Sequence, residues 1–271
     1  MSKKATNPAP DKKSSGSSGP VFVPTASAKA QANKYRMLGV LFWVIAIIAQ
    51  LGAIFVLAKA VEPDDPLLNT SMPIFWVYII GLMVVDLIFV IIGSQFWKKS
   101  NRLDPPSEKN KLLFMLQSQL GVVAAIVAFL PLVIYILTKK DLDPKHKTIL
   151  ASIAGVFMAA AVIPSIDFDP PSQEKYAEQS AVVRLLMNGD DKVFWTDNGA
   201  KYHLYDDCGA IKNRTQSEGT VQEAREKNTK LHDLCTHCKN RAMKEPRNKD
   251  VTEKDIEEAK ERARVPEPND G

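Results

Sequence analysis

Four long apolar runs, at 37–58, 72–96, 116–137 and 148–166, interrupt an otherwise polar chain of 271 residues, and none of them contains Lys or Arg. Each holds about 19–25 residues, which at ~1.5 Å rise per residue covers a hydrocarbon core of roughly 30 Å. One such helix can be buried in a soluble protein. Four in succession predict an α-helical transmembrane bundle of four helices over 37–166. The first run follows a long polar segment, is too long for a signal-peptide core and lacks a small-residue cleavage pattern, so it reads as a retained helix.

The polar ends differ in kind. Residues 1–36 are rich in Ser, Lys, Pro, Ala and Gly and have too few apolar positions to offset chain entropy, so they read as a disordered basic tail. Seven Lys/Arg against one Asp suit that tail to the anionic leaflet facing the cytoplasm. The loop 97–111 is also basic, whereas 59–71 carries Lys59 beside Glu62, Asp64 and Asp65. Both features point to N- and C-termini on the cytoplasmic side of a cell membrane. The loop 138–147, with Lys139, Lys140, Lys145 and Lys147, conflicts with that path.

Within the runs, Trp76 and Trp97 mark membrane boundaries. Small residues recur at four-residue spacing (Gly121 and Ala125; Ala124 and Ala128; Ala151, Gly155 and Ala159), a pattern that lets helices approach closely within one chain or between copies in a homo-oligomer. Asp86 is a lone carboxylate inside an apolar run. Such a group either handles ions or protons or fixes helix packing, with Gln50 a candidate partner. Pro131 is a candidate kink in the third helix.

Beyond 166 the pattern becomes that of a water-soluble fold. Ser172 caps a linker helix within 167–189. Val193-Phe194-Trp195-Thr196 and Lys201-Tyr202-His203-Leu204-Tyr205 flank Asn198-Gly199, which predicts a β-hairpin. Thr220 and Glu223 form a capping box that opens a helix of about eight to ten residues. The segment 246–271 lacks an apolar stripe and reads as a solvated helix or a disordered tail.

All three cysteines of the chain fall in one pattern: His203-x4-Cys208, then Cys235-x2-Cys238. An odd number of cysteines excludes complete disulfide pairing within one chain, whereas a Cys3His set uses all of them. Thiolate sulfur and imidazole nitrogen suit tetrahedral zinc, and four protein ligands leave no position for substrate, so the zinc is structural. A module of about 50 residues, 190–245, buries little apolar surface and gains from a bound metal. His232 and His237 compete as fourth ligand, and Cys235 with Cys238 also suits a redox dithiol. The expected fold is thus a four-helix membrane bundle plus a small α+β zinc module containing a hairpin.

The run from Val193 to Thr196, Gly199, Tyr202, His203 and Cys208, followed by Gly219-Thr220, Glu223-Ala224, Cys235 and Cys238, resembles a small bacterial Cys/His domain. That domain is appended to thermonuclease-type and competence-type proteins and to multi-pass membrane proteins. The resemblance covers about 50 residues and implies zinc binding by His203, Cys208, Cys235 and Cys238. It carries over no nuclease chemistry, and in related architectures the domain is often outside the cytoplasm.

No nucleophile–base arrangement, phosphate loop or HExxH pattern is present, so no enzymatic activity is expected. The leading expectation is a membrane-anchored zinc module that binds a protein partner. Lys239, Arg241, Lys244, Arg247, Lys249, Lys212 and Arg214 allow nucleic acid as a lesser candidate. The alternative is a transporter, or a metal or redox sensor, that uses Asp86 together with the Cys/His module.

Overall fold

The computed structural model describes residues 22–59, 72–140 and 144–264, with the side chains of 72–75 left aside. Residues 1–21 of the basic tail, the acidic loop at 60–71 and residues 265–271 lie outside the described residues. Among the described residues, five helices form the first half: α1 (Ala26–Lys59), α2 (Met72–Leu103), α3 (Lys111–Ser118), α4 (Leu120–Thr138) and α5 (Pro144–Ser165). Four of them, α1, α2, α4 and α5, are long and apolar enough to cross a membrane.

Glycine explains why α1 and α2 lie so close. A methyl group on Gly93 would stand 2.6 Å from the Trp43 ring and 2.9 Å from the Gly39 carbonyl oxygen. Hydrogen at these positions therefore lets the two backbones meet over a buried indole. Phe42 stacks on Phe89 and Phe96 along the same antiparallel pair. The buried bundle face is rich in alanine (Ala46, Ala53, Ala125, Ala128, Ala154, Ala161), while Leu41, Ile48, Val127 and Val156 point outward.

The expected third span is present as a membrane-length helix but starts later, its first residues belonging to a separate short helix. Residues 116–118 end α3, and the membrane-length helix starts at Leu120. Gln119 holds the break: its Nε2 donates to the Asp167 carbonyl at 2.7 Å, and its Oε1 accepts from the Asp167 N–H at 3.1 Å. Of the small-residue rows, Gly121, Ala125 and Ala128 are buried, whereas Gly155 faces open space and Ala159 is exposed. In α5 the packed face is Ala154 and Ala161 instead. The expected Asp86–Gln50 bond is not made. Gln50 Nε2 donates to the Phe129 carbonyl at 3.3 Å, and neither buried Asp86 oxygen has a hydrogen-bond partner among the described residues.

Residues 22–36, expected to be disordered, are ordered. The Thr25 hydroxyl accepts from the Ala28 N–H at 3.2 Å, and helix α1 begins eleven residues before the apolar run. Phe22 is buried, with its ring edge-on to Tyr176 at 4.9 Å, and Thr25 donates to Glu226 at 2.7 Å. Ala28 and Ala32 are buried on the same extension. Docking on the C-terminal module supplies the burial that the segment lacks by itself.

That module comprises α6 (Gln173–Leu186), β1 (Lys192–Trp195), β2 (Lys201–Tyr202), β3 (Ser217–Thr220), α7 (Val221–Lys227), β4 (Asp233–Leu234), α8 (Thr236–Met243) and α9 (Glu253–Arg264). Ser172 caps α6 by accepting from the Lys175 N–H at 3.0 Å. The capping box forms as predicted, with reciprocal bonds of 3.1 and 3.0 Å between Thr220 and Glu223, although α7 has only seven residues.

The predicted hairpin is reduced to one antiparallel bridge, and longer-range pairing supplies the rest. Strand β1 pairs antiparallel with β3, and β2 pairs parallel with β4. Only Phe194 and His203 face each other as a hairpin pair would. The reason lies in the turn: the Gly199 N–H donates to the Thr196 carbonyl at 3.0 Å, and neither Asn198 nor Gly199 has the positive φ of a tight two-residue hairpin. Asn228 then secures the turn by donating to the Thr196 and Gly199 carbonyls.

The core joins Leu186 of α6, Trp195, Tyr202, Leu204 and the cysteines to Ile256 of α9. Helix α9 is thus neither free nor disordered. Ile256 and Ala263 face inward, and Arg264 bonds Glu178 of α6. The compact unit extends at both ends beyond 190–245.

Candidate metal centre

Local backbone bonds bring the four candidate ligands into place. His203 exchanges two 2.7 Å backbone bonds with Phe194, which hold it at the end of β2. Cys208 opens a tight turn, its carbonyl accepting from the N–H groups of Ile211 at 2.8 Å and Lys212 at 2.9 Å. The Cys235 N–H donates to the Tyr202 carbonyl at 2.9 Å, and Cys235 is the cap residue from which α8 starts. Cys238 follows in the first turn of that helix.

The four ligand atoms lie within 4.8 Å of one another, and all four residues are buried. His203 Nδ1 is 3.3 Å from Cys208 Sγ and 3.7 Å from Cys238 Sγ. Ligands at about 2.0–2.3 Å from one tetrahedral ion stand roughly 3.5–3.8 Å apart, so the cluster is close to that spacing. All three cysteines are free thiols. The cluster could therefore hold a metal ion.

Electrostatics support the same use. Burial pushes the Cys238 thiol up to about 12, and the neighbouring Cys208 and Cys235 sulfurs add to the shift. Burial, assisted by Lys201, lowers the His203 pKa and keeps the ring neutral, the form that binds metal. Three crowded thiols resist ionisation by themselves; a divalent cation removes that resistance by binding the thiolates directly.

The competing histidines lie elsewhere. His237 is exposed on α8. His232 Nδ1 is 3.2 Å from Arg102 Nη1, at the junction with α2, and burial followed by the Arg102 charge lowers its pKa. His146 stands beside Trp76, with ring centroids 6.4 Å apart, at the start of α5. Asp86 lies inside the bundle and is not part of this cluster. Several of the basic side chains considered for nucleic acid are engaged in ion pairs: Lys239 with Glu253 at 2.8 Å, Arg241 with Asp207 at 2.6 Å and Arg247 with Glu245 at 2.7 Å.

Sequence patterns did not reveal Arg225. This buried residue donates to the carbonyls of Leu231 at 3.1 Å and His232 at 2.7 Å, just ahead of Cys235. Its guanidinium lies 4.0 Å from the Tyr176 ring centre, and the Tyr176 hydroxyl donates to the Arg102 carbonyl at 3.1 Å. The ligand loop is thereby joined to the end of α2. Its only signal in the sequence is a place beside Val221 and Ala224 on the inward face of α7.

Comparison with protein-family models, curated proteins and solved structures returns no match for this chain.

Proposed function

We propose that this is an integral membrane protein whose C-terminal module is held by one structural zinc ion on His203, Cys208, Cys235 and Cys238 and recruits a protein partner at the membrane surface. The observation that carries the reading is the closed, buried set of four ligand atoms within 4.8 Å of one another. With all four positions supplied by the protein, zinc has no site left for substrate, and the module acts by binding and not by catalysis. The resemblance to the appended bacterial Cys/His domain supports zinc over other metals.

The basic tail and the Lys-rich loop 97–111 support a cytoplasmic location for the module. Thr25 and Glu226, Arg36 and Asp104, and Arg102 and His232 are all in contact, so the start of α1, the end of α2 and the module share one face of the bundle. Four crossings would satisfy that arrangement with Lys139, Lys140, Lys145 and Lys147 on the opposite face. There Lys147 donates to the Lys139 carbonyl at 3.1 Å and Lys139 lies over the Tyr135 ring, which ties down part of the conflicting charge.

The test is crosslinking in cells that express the full chain, comparing wild type with Cys235→Ser/Cys238→Ser. A specific partner captured by the wild type and lost in the variant is the expected result. Identical capture by both would refute zinc-dependent recruitment.

A second reading, transport or sensing through the bundle, rests on Asp86, a fully buried carboxylate with neither oxygen bonded among the described residues. Asp86→Asn that retains every solute flux measured for the wild type in proteoliposomes would eliminate it.

A further inference from the structure

Helix α3 belongs to neither the bundle interior nor the module core. Its eight residues place Leu112, Leu113, Met115 and Leu116 on the outside, with Leu112 65% exposed. Water is an unfavourable neighbour for such a stripe at i, i+3 and i+4. Phe168, 81% exposed, follows Asp167, the residue that Gln119 grips from the α3–α4 break. Both features thus flank the level at which α4 starts and α5 ends.

The position of α3 is fixed from both sides. The Trp97 indole N–H and Asn101 Nδ2 of α2 both donate to the Gln117 carbonyl, at 2.8 and 3.1 Å. The loop before α3 is bound to the module: Ser107 Oγ and the Glu108 N–H donate to Glu174 of α6 at 2.5 and 2.8 Å. Lys109 and Lys111, both exposed, flank the start of the apolar stripe.

We infer that α3 is an in-plane interfacial helix that inserts its Leu/Met face, together with Phe168, into the headgroup–acyl boundary of an anionic leaflet. Lys109 and Lys111 meet the lipid phosphates. Three features identify lipid as the occupant: continuity of the apolar face with the outward surface of α4, an indole at the same level, and basic flanks. Because Glu174 links the loop before α3 to α6, the helix also sets the height at which the Cys/His module rides above the bilayer. The inference rests on the reading that α1, α2, α4 and α5 cross the membrane.

The experiment uses the full chain in nanodiscs of mixed phosphatidylcholine and phosphatidylglycerol. The photoreactive residue p-benzoylphenylalanine replaces Leu113 or Leu116, or Val127 on the outward face of α4, or Glu218 on the module surface. Lipid adducts at 113, 116 and 127 but not at 218 are expected. At 113 the adducts should contain phosphatidylglycerol above its mole fraction, and Lys109→Gln/Lys111→Gln should return them to that fraction. Adducts at 127 without any at 113 and 116, or crosslinks from 113 to a second copy of the chain, would overturn the interfacial assignment while leaving the spanning helices standing. Adducts at 113 that match the mole fraction in the unmodified lysine background would refute the anionic preference. Absence of adducts at 127 would instead refute the membrane reading on which the inference depends.

Discussion

The bundle and the module differ less in what they bury than in what covers them. In the bundle, alanine and glycine share the interior with large side chains such as Leu57, Met83, Phe129 and Leu132, and large apolar side chains such as Ile48 and Val127 also cover the outside. In the module, Trp195, Tyr202, Leu186 and Leu204 are almost wholly buried and charged residues cover the outside. Lipid would solvate large apolar side chains as readily as the interior does, so helix contact in the bundle rests on tight packing and on close backbone approach at small positions such as Gly39 and Gly93. Water drives the large side chains of the module together, but strands of two to four residues enclose too little area for security. The ligand cluster sits within that core, between short strands and the start of α8. One region should therefore depend on metal and the other on helix contact.

Metal removal should separate them most sharply. Chelation, or Cys238→Ser, is expected to remove stabilisation on the order of 10 kcal/mol from the module. Near-ultraviolet circular dichroism from Trp195 and its neighbours should collapse, while the helical far-ultraviolet signal of the bundle persists in detergent. Simultaneous loss of both would show that the two regions do not fold separately.

Truncating the module core comes next. Trp195→Ala should cost about 3–5 kcal/mol, read as a lower melting temperature of the metal-loaded protein. In the bundle, Gly93→Ala forces a methyl group against Trp43 and should cost about 1–3 kcal/mol without lowering metal content, whereas Gly155→Ala, which meets open space, should be neutral. A metal deficit in Gly93→Ala would break the distinction between the regions.

Arg225→Met tests the joint between them. It leaves the Leu231 carbonyl without its side-chain donor and the His232 carbonyl with Gln179 alone, and should cost about 1–3 kcal/mol. Protease cleavage between α2 and the module should rise at the same time.

Acid acts on the same joint. The folded His232 pKa lies below its ordinary value, so the unfolded chain takes up the proton first. Its contribution is present above about pH 6.5 and falls away as pH drops through that value. A His232→Asn variant should show a shallower loss of stability between neutral pH and pH 5; an unchanged slope would assign the acid sensitivity to the ligand cluster, whose protonation also releases metal. Lys239→Gln, which removes an exposed ion pair with Glu253, should change stability by less than about 1 kcal/mol.

The membrane-length helices were legible in the sequence because their requirement is local: length, apolarity and missing charge. The ligand cluster was legible because its pattern consumes every cysteine. What the sequence hid was mostly nonlocal. Asn198-Gly199 carries a hairpin signal, but the strands around it find partners at Ser217–Thr220 and Asp233–Leu234, which no neighbouring residue announces. Alanines in a polar tail look disordered until Phe22 meets Tyr176. Ile256 and Ala263, seven residues apart, are too sparse to read as a stripe, yet they suffice once α6 lies beside them. Gln119 gave no sign that its amide would divide one apolar run into two helices.

The central claim is a closed zinc centre in a membrane-anchored chain, and the most direct measurement is the metal content of the purified full-length protein. Elemental mass spectrometry should find one zinc per chain in wild type, retained in Asp86→Asn and lost in His203→Ala and Cys238→Ser. A folded wild-type protein that holds no metal and presents three thiols to a titrant under native conditions would contradict the account.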